Sequence, residues 1–258
     1  MNEFYVLVFY ILGIVMGSFY SLVAYRLSND RSIVKPRSFC DNCKTKLKWY
    51  ELIPIASYIV QKGRCSYCNQ KISVFYPVAE LLCGILFALS FAIFGFSYNF
   101  VLAILLSSLL IITLITDLNY YIIPDEINIF FAIAIFILNI FRLGIINALI
   151  YVGYGLIIFI IMYLLMLLGN YLFKEESLGG GDIKLLFVLG MTVSLVSSLL
   201  SITIATFIAL PIALYIFIKN KDKAIPFGPF LVTGFLLSFL FRLDKTIIER
   251  IFNIIMYH

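Results

Sequence analysis

Histidine is almost absent from this 258-residue chain: the only one is His258, the last residue. That excludes HExxH metalloproteases, Ser–His triads and Cys–His dyads, all of which need an internal imidazole. A GxSxG nucleophile elbow and a phosphate-cradling P-loop are missing as well. Charge is scarce, at 13% of residues where a soluble domain carries ~25%. Hydrophobic residues make up 63% against the usual ~45–50%. A soluble fold of this size has too little interior for that much apolar side chain, and disorder demands the opposite composition. At ~20 residues per crossing, the chain reads as an all-α polytopic membrane protein with about eight transmembrane helices.

The apolar runs place spans near Phe4–Tyr25, Pro77–Gly95, Phe100–Thr116, Ile127–Phe141, Ile145–Phe173, Ile183–Val196, Ser197–Ile218 and Phe227–Phe241. The first is not a cleavable signal, because Met1–Glu3 carries no positive side chain and the basic residue Arg26 follows the apolar run. Three segments result: residues 1–25 as the first transmembrane helix, 26–76 as a small polar module, and 77–258 as a seven-helix membrane domain.

What charge there is lies unevenly. Between Arg26 and Lys71 stand ten basic and three acidic residues, a net +7. Beside a hydrophobic span this is a topology signal, and nothing in it resembles a nucleic-acid-binding fold. With that loop in the cytoplasm, the loops divide fifteen basic residues inside to four outside. Both termini then lie outside. The Asp117–Glu126 turn and the Glu175–Asp182 loop fall on the same cytoplasmic face as the basic module.

Four of the five cysteines form two CxxC pairs, Cys40–Cys43 and Cys65–Cys68, separated by 21 residues. Two such knuckles complete a closed S₄ zinc site, and a cytoplasmic loop disfavours the disulfide alternative. Without an open coordination position the metal is structural. The insert Trp49–Pro54 is aromatic and apolar, suited to packing on the knuckles or dipping into the membrane interface. Cys83 sits inside a span as a small buried hydrophobe.

Asp117 ends an apolar run, and an ionisable group at membrane depth points to function. Asp182 follows Gly179, Gly180 and Gly181. It could simply cap the helix beginning at Ile183, but three glycines also let an extended peptide approach the carboxylate. Asp125 and Glu126 after Pro124 suit ordinary helix-start chemistry. Glu80 could hydrogen-bond within the bundle or contact substrate. Phe227-Gly228-Pro229 reads as a bent helix start with no chemistry of its own. With histidine and serine machinery excluded, a carboxylate pair remains. One acid accepts a proton from water and the other donates one to the scissile carbonyl. The dipoles favour ionised Asp182 near a helix N-terminus as the base, and protonated Asp117 near a C-terminus as the acid.

Taken together, Asp117 with Pro124-Asp125, Gly179-x-Gly181-Asp182, the CxxC pairs, Pro226-Phe227-Gly228-Pro229, Gly17-Ser18-Phe19 and Tyr76-Pro77-x-x-Glu80 resemble the type IV prepilin peptidases, GxGD-type intramembrane aspartyl proteases. The likeness covers nearly the whole chain. It implies Asp117 and Asp182 as the catalytic pair, with Gly179, Gly181, Asp125 and Glu80 as active-site or substrate support. It also implies Cys40, Cys43, Cys65 and Cys68 as ligands of a cytoplasmic zinc. The substrates it implies are prepilins, pseudopilins or competence pilins, cut after a glycine behind a short basic leader. Asp125, Glu126, Glu175 and Glu176 would attract that leader. Many members then methylate the new N-terminus with S-adenosylmethionine, although no residue here displays a methyltransferase site. Asn119 departs from the acid common in relatives. Two alternatives remain: a transporter or scaffold with a structural zinc module, against which stands the lack of an inverted repeat, and a presenilin-like protease, against which stands the CxxC module.

Overall fold

The computed structural model describes residues 2–35, 37–174, 178–219 and 225–243. Glu175, Glu176, Lys221, Lys223, Lys245, Arg250 and His258 lie outside the described residues. Among those described there is no β-strand, and the chain divides into two compact units, Met1–Phe96 and Ser97–His258.

The first unit holds α1 (Asn2–Leu27), a 3₁₀ turn (Trp49–Leu52), the short α2 (Ala56–Val60) and α3 (Phe75–Phe94). Its two long helices cross where side chains vanish. A Cβ built on Gly13 would fall 2.7 Å from the Cys83 carbonyl oxygen, one on Gly17 2.9 Å from the Glu80 Cα, and one on Gly84 2.8 Å from Ile14. In lipid no hydrophobic force drives two apolar helices together, so this backbone approach supplies the dispersion contact that does.

The second unit comprises α4 (Tyr98–Tyr120), α5 (Asp125–Leu143), α6 (Ile145–Phe173), α7 (Gly180–Gly190), α8 (Leu195–Lys219) and α9 (Gly228–Leu240). Its centre is α4, whose most apolar stretch is 72% buried, whereas α6 buries only 11% of its own and turns Leu and Ile outward. The Ser97 hydroxyl accepts the Phe100 N–H at 3.2 Å to start α4, and Tyr121 at φ 55° ends it. Helix α5 packs on α4, and α6 returns beyond Gly144 at φ 84°. The odd number of long crossings, α4, α5 and α6, brings the end of α6 and the start of α7 back to the membrane face where α4 ends.

Six described helices are long and apolar enough to cross a membrane. The expected count of eight spans is not confirmed, and two of the runs yield shorter helices. The run Ile183–Val196 does not form one helix: α7 stops after 11 residues at Gly190. There the buried Asn139 amide donates to the Met191 carbonyl at 2.8 Å and satisfies the helix end. The last apolar run yields only the 13 residues of α9, short of the ~20 a full crossing needs. Both short helices are fixed by glycine contacts, Gly190 against Gly155 of α6 and Gly234 against Ser201 and Ala205 of α8.

Replacing Gly13 by Ala forces a methyl group onto the rigid Cys83 backbone. The expected result is a loss of about 1–3 kcal/mol, seen as a lower unfolding temperature in detergent.

Candidate functional site

Asp117 lies in the last turn of α4 and is 7% exposed, so it is not a helix-end acid reaching water. Asp182 stands in the first turn of α7. The expectation that it caps this helix is corrected. The helix begins at Gly180, Gly179 is the N-cap residue, and no side chain caps the end. The Asp182 backbone N–H instead donates to the Gly179 carbonyl at 3.1 Å, leaving the carboxylate free to point elsewhere.

It points at Gly228. The Gly228 N–H, at the start of α9, donates to Asp117 Oδ2 at 3.0 Å. A Cβ placed on Gly228 would lie 3.1 Å from Asp117 Oδ2 and 3.3 Å from Asp182 Oδ1. The empty place where a Gly228 side chain would begin thus borders both carboxylates, whose facing oxygens are no further apart than the sum of those distances. The second oxygen of Asp182 faces Gly179 at 3.2 Å by the same measure. Ile123, 9% exposed, packs its side chain against both Gly181 and Gly228 and closes the apolar side of the pair. Two acids from distant parts of the chain therefore meet at one glycine.

Gly228 is the residue that sequence reasoning passed over as a mere helix start. A glycine carries no reactive group, and only its place in the Pro226–Pro229 string hinted at a role. Asp125 turns away from the pair: it forms an ion pair with Lys184 at 2.8 Å, both side chains being more than half exposed. Glu80 lies in the first unit, 6% exposed, where Oε2 accepts the Ile55 N–H at 2.8 Å. A hydrogen bond with the Ser18 side chain adds to this. That anchors Ile55 at φ 61°, an unusual conformation for a β-branched residue.

The cysteine module repeats one fold twice. Cys40 N–H donates to Thr45 and Lys44 N–H back to Cys40, and Cys65 with Gln70 and Asn69 does the same. Lys44 and Asn69 both sit at φ 57°. The four sulfurs lie within 4.8 Å of one another, with Cys40 and Cys68 3.8 Å apart. Tetrahedral zinc with Zn–S of ~2.3 Å sets its sulfurs ~3.8 Å apart, so the tetrad fits the ion. The Gln70 N–H, and next the Asn42 amide at 3.6 Å, bring the Cys68 thiol down to about 6, toward the thiolate a metal requires. Trp49 does not cover the knuckles; it is 77% exposed. Beside the module a cavity of about 670 Å³ is lined by Tyr25, Tyr58, Tyr76, Glu51 and Glu80 among others.

Two facing carboxylates inside a multi-pass helical protein define the class of intramembrane aspartic peptidases. Comparison with known proteins gives the family. Residues 11–94 match the Bacterial Peptidase A24 N-terminal domain, and residues 103–214 match the Type IV leader peptidase family. The chain is 34% identical over 244 residues to a prepilin leader peptidase/N-methyltransferase of Bacillus subtilis, covering 91% of this chain and 93% of that protein. Proteins of the same name from Myxococcus xanthus and Vibrio cholerae are 38% and 28% identical. The first match covers 70% of this chain and 54% of the relative, the second 93% and 98%. No solved structure matches the chain significantly. The chain belongs to the type IV leader peptidase family and is a multi-pass membrane peptidase.

Two outcomes follow. Gly228→Ala pushes a methyl group between the acids and lowers peptide cleavage by about 100-fold while the protein remains folded, measured by initial rates beside thermal unfolding. Zinc added to the protein should bind at the tetrad, and its chelation, or Cys65→Ser, should collapse the knuckles without touching the second unit's fold. Metal analysis and thiol titration would show four newly reactive cysteines in the chelated wild type.

Proposed function

We propose that this protein cleaves the short basic leader from type IV prepilins, pseudopilins or competence pilins, using Asp117 and Asp182 as its catalytic pair. The placement of both carboxylates about the Gly228 backbone carries this reading. The two acids share one proton, because two carboxylates so close in a dry setting do not both ionise. Asp117 Oδ2 accepts from Gly228, so a proton held by Asp117 resides on Oδ1. Asp182, near the positive end of α7, draws the proton from water, and Asp117 protonates the scissile carbonyl oxygen. The water oxygen bonds to the carbonyl carbon, the C–N bond breaks, and the leaving amine takes up the proton. The carboxylates belong to one titrating unit, and the assignment describes the resting bias. Gly179 and Gly181 leave room for an extended substrate backbone beside Asp182.

In this reading the basic module and the active site face the cytoplasm and both termini lie outside, as positive-inside counting supports. Residues 26–76 then form the zinc module, and 77–258 the protease domain. Glu126 is exposed and open to a basic leader, whereas Asp125 must first release Lys184. The relatives are also named N-methyltransferases, which supports reading a second step here, S-adenosylmethionine-dependent methylation of the new N-terminus. The cavity in the first unit suits that cofactor: Glu51 and Glu80 are buried carboxylates with no ion pair among the described residues, fitted to a cationic ligand with hydroxyls, and Tyr25, Tyr58 and Tyr76 in the lining suit its base. When bound, the cofactor supplies a methyl group to an amine nitrogen. The transporter alternative is disfavoured because both acids, in the last turn of α4 and the first turn of α7, meet at Gly228 and are not strung along a path.

Purified protein with a prepilin in detergent tests the reading. Asp117→Asn and Asp182→Asn should each lower cleavage by about 10²–10⁴-fold with folding retained. Wild-type cleavage should follow a bell in pH: acid protonates both carboxylates and removes the base, and alkali ionises both and removes the acid. Full activity in either variant would end the assignment.

A further inference from the structure

The first unit contains a second cavity, of about 590 Å³, with a one-sided composition. Arg26, Arg37, Lys46 and Lys48 line it, and no Asp or Glu does. Trp49 and Tyr50 form part of the same wall, both exposed. Neither the zinc tetrad nor the carboxylate pair uses these residues. The cavity's larger neighbour shares Arg26 but is lined by three acids and only one further cation, Lys71.

Its place in the fold specifies the ligand. Arg26 is in the last turn of α1, immediately past the apolar run that crosses the membrane, and Leu22, one turn earlier, also lines the cavity. The Arg26 guanidinium donates to the Ser32 and Ile33 carbonyls at 3.0 and 2.6 Å, which fixes the loop that forms one wall. Val34, at 81% exposure, lies apolar on that wall. Cations thus gather at the polar end of the apolar helix α1, among aromatic and aliphatic side chains. A free anion in water would use the cations alone. An anionic lipid uses both, its phosphate among the basic side chains and its acyl chains along α1. Indole and phenol rings at the headgroup level anchor such a site. The surrounding segment between Arg26 and Lys71 carries net +7, which draws an acidic membrane surface and repels a basic peptide.

We propose that this cavity binds the headgroup of an anionic phospholipid, such as phosphatidylglycerol, and seats the module on the membrane surface at the end of α1. A basic leader is excluded from it by charge.

The test uses the full-length protein, zinc-loaded, in nanodiscs of phosphatidylcholine doped with phosphatidylglycerol. Retained lipid is counted by native mass spectrometry. Wild type should retain phosphatidylglycerol over phosphatidylcholine by about tenfold or more. The triple variant Arg37→Gln, Lys46→Gln, Lys48→Gln should drop to no more than about twofold, with zinc content and prepilin cleavage in detergent unchanged. The charge-keeping variant Arg37→Lys, Lys46→Arg, Lys48→Arg should keep the preference, which separates loss of charge from a misfolded module. An equal preference in wild type and the triple variant would overturn the proposal. So would full displacement of the lipid by millimolar inorganic phosphate, which would make the site one for a free anion.

Discussion

Two carboxylates from distant parts of the chain are held beside one glycine, whose N–H donates to Asp117, and much of the second unit follows from that demand. Carboxylates repel at this range, so neither side chain would seek the other in a loose bundle. The helices that carry them must be fixed independently. Helix α4 is fixed by burial along most of its length and by caps at both ends. Helix α7 is fixed by glycine contact with α6 and by Asn139 at its far end. Helix α9 then delivers the Gly228 N–H to Asp117, the one hydrogen bond that rewards the arrangement. Ile123 keeps the remaining side apolar, which strengthens every electrostatic interaction inside.

The first unit meets a different requirement. Its polar module is too small to fold on hydrophobic burial, so local hydrogen-bonded turns and a four-cysteine cluster that fits a metal stand where a core would be. The module is tied to its helix pair by single strong contacts: Arg26 holds the Ser32–Ile33 turn, and Glu80 holds Ile55. Buried charged groups that grip backbone amides and carbonyls act here as pegs between a loop and a membrane helix, each satisfied by hydrogen bonds that offset its desolvation.

What could be read from residue order alone depended on whether a side chain announces its chemistry. Asp117 and Asp182 do, because a carboxylate at membrane depth is costly enough to need a reason, and the cysteine pairs do through their spacing. The long spans were legible from hydropathy. The break at Gly190 was not, since Met191, Thr192 and Val193 continue the apolar run and only the distant Asn139 supplies a partner for the helix end. Glu80 was ambiguous for the same reason: its partner Ile55 is 25 residues away, in a conformation no local pattern foretells. Gly228 was the hardest, because what it contributes is an amide hydrogen and an empty place.

That empty place bears on how an inhibitor would fare against selection. A compound that bridges the two acids and fills the empty place beside Gly228 would touch three positions. Two are acids on which the proposed chemistry depends, and a side chain at the third would crowd both of them. Drug resistance by point mutation would have to arise at second-rank neighbours such as Ile123, leaving few evolutionary exits from a ligand confined to that spot.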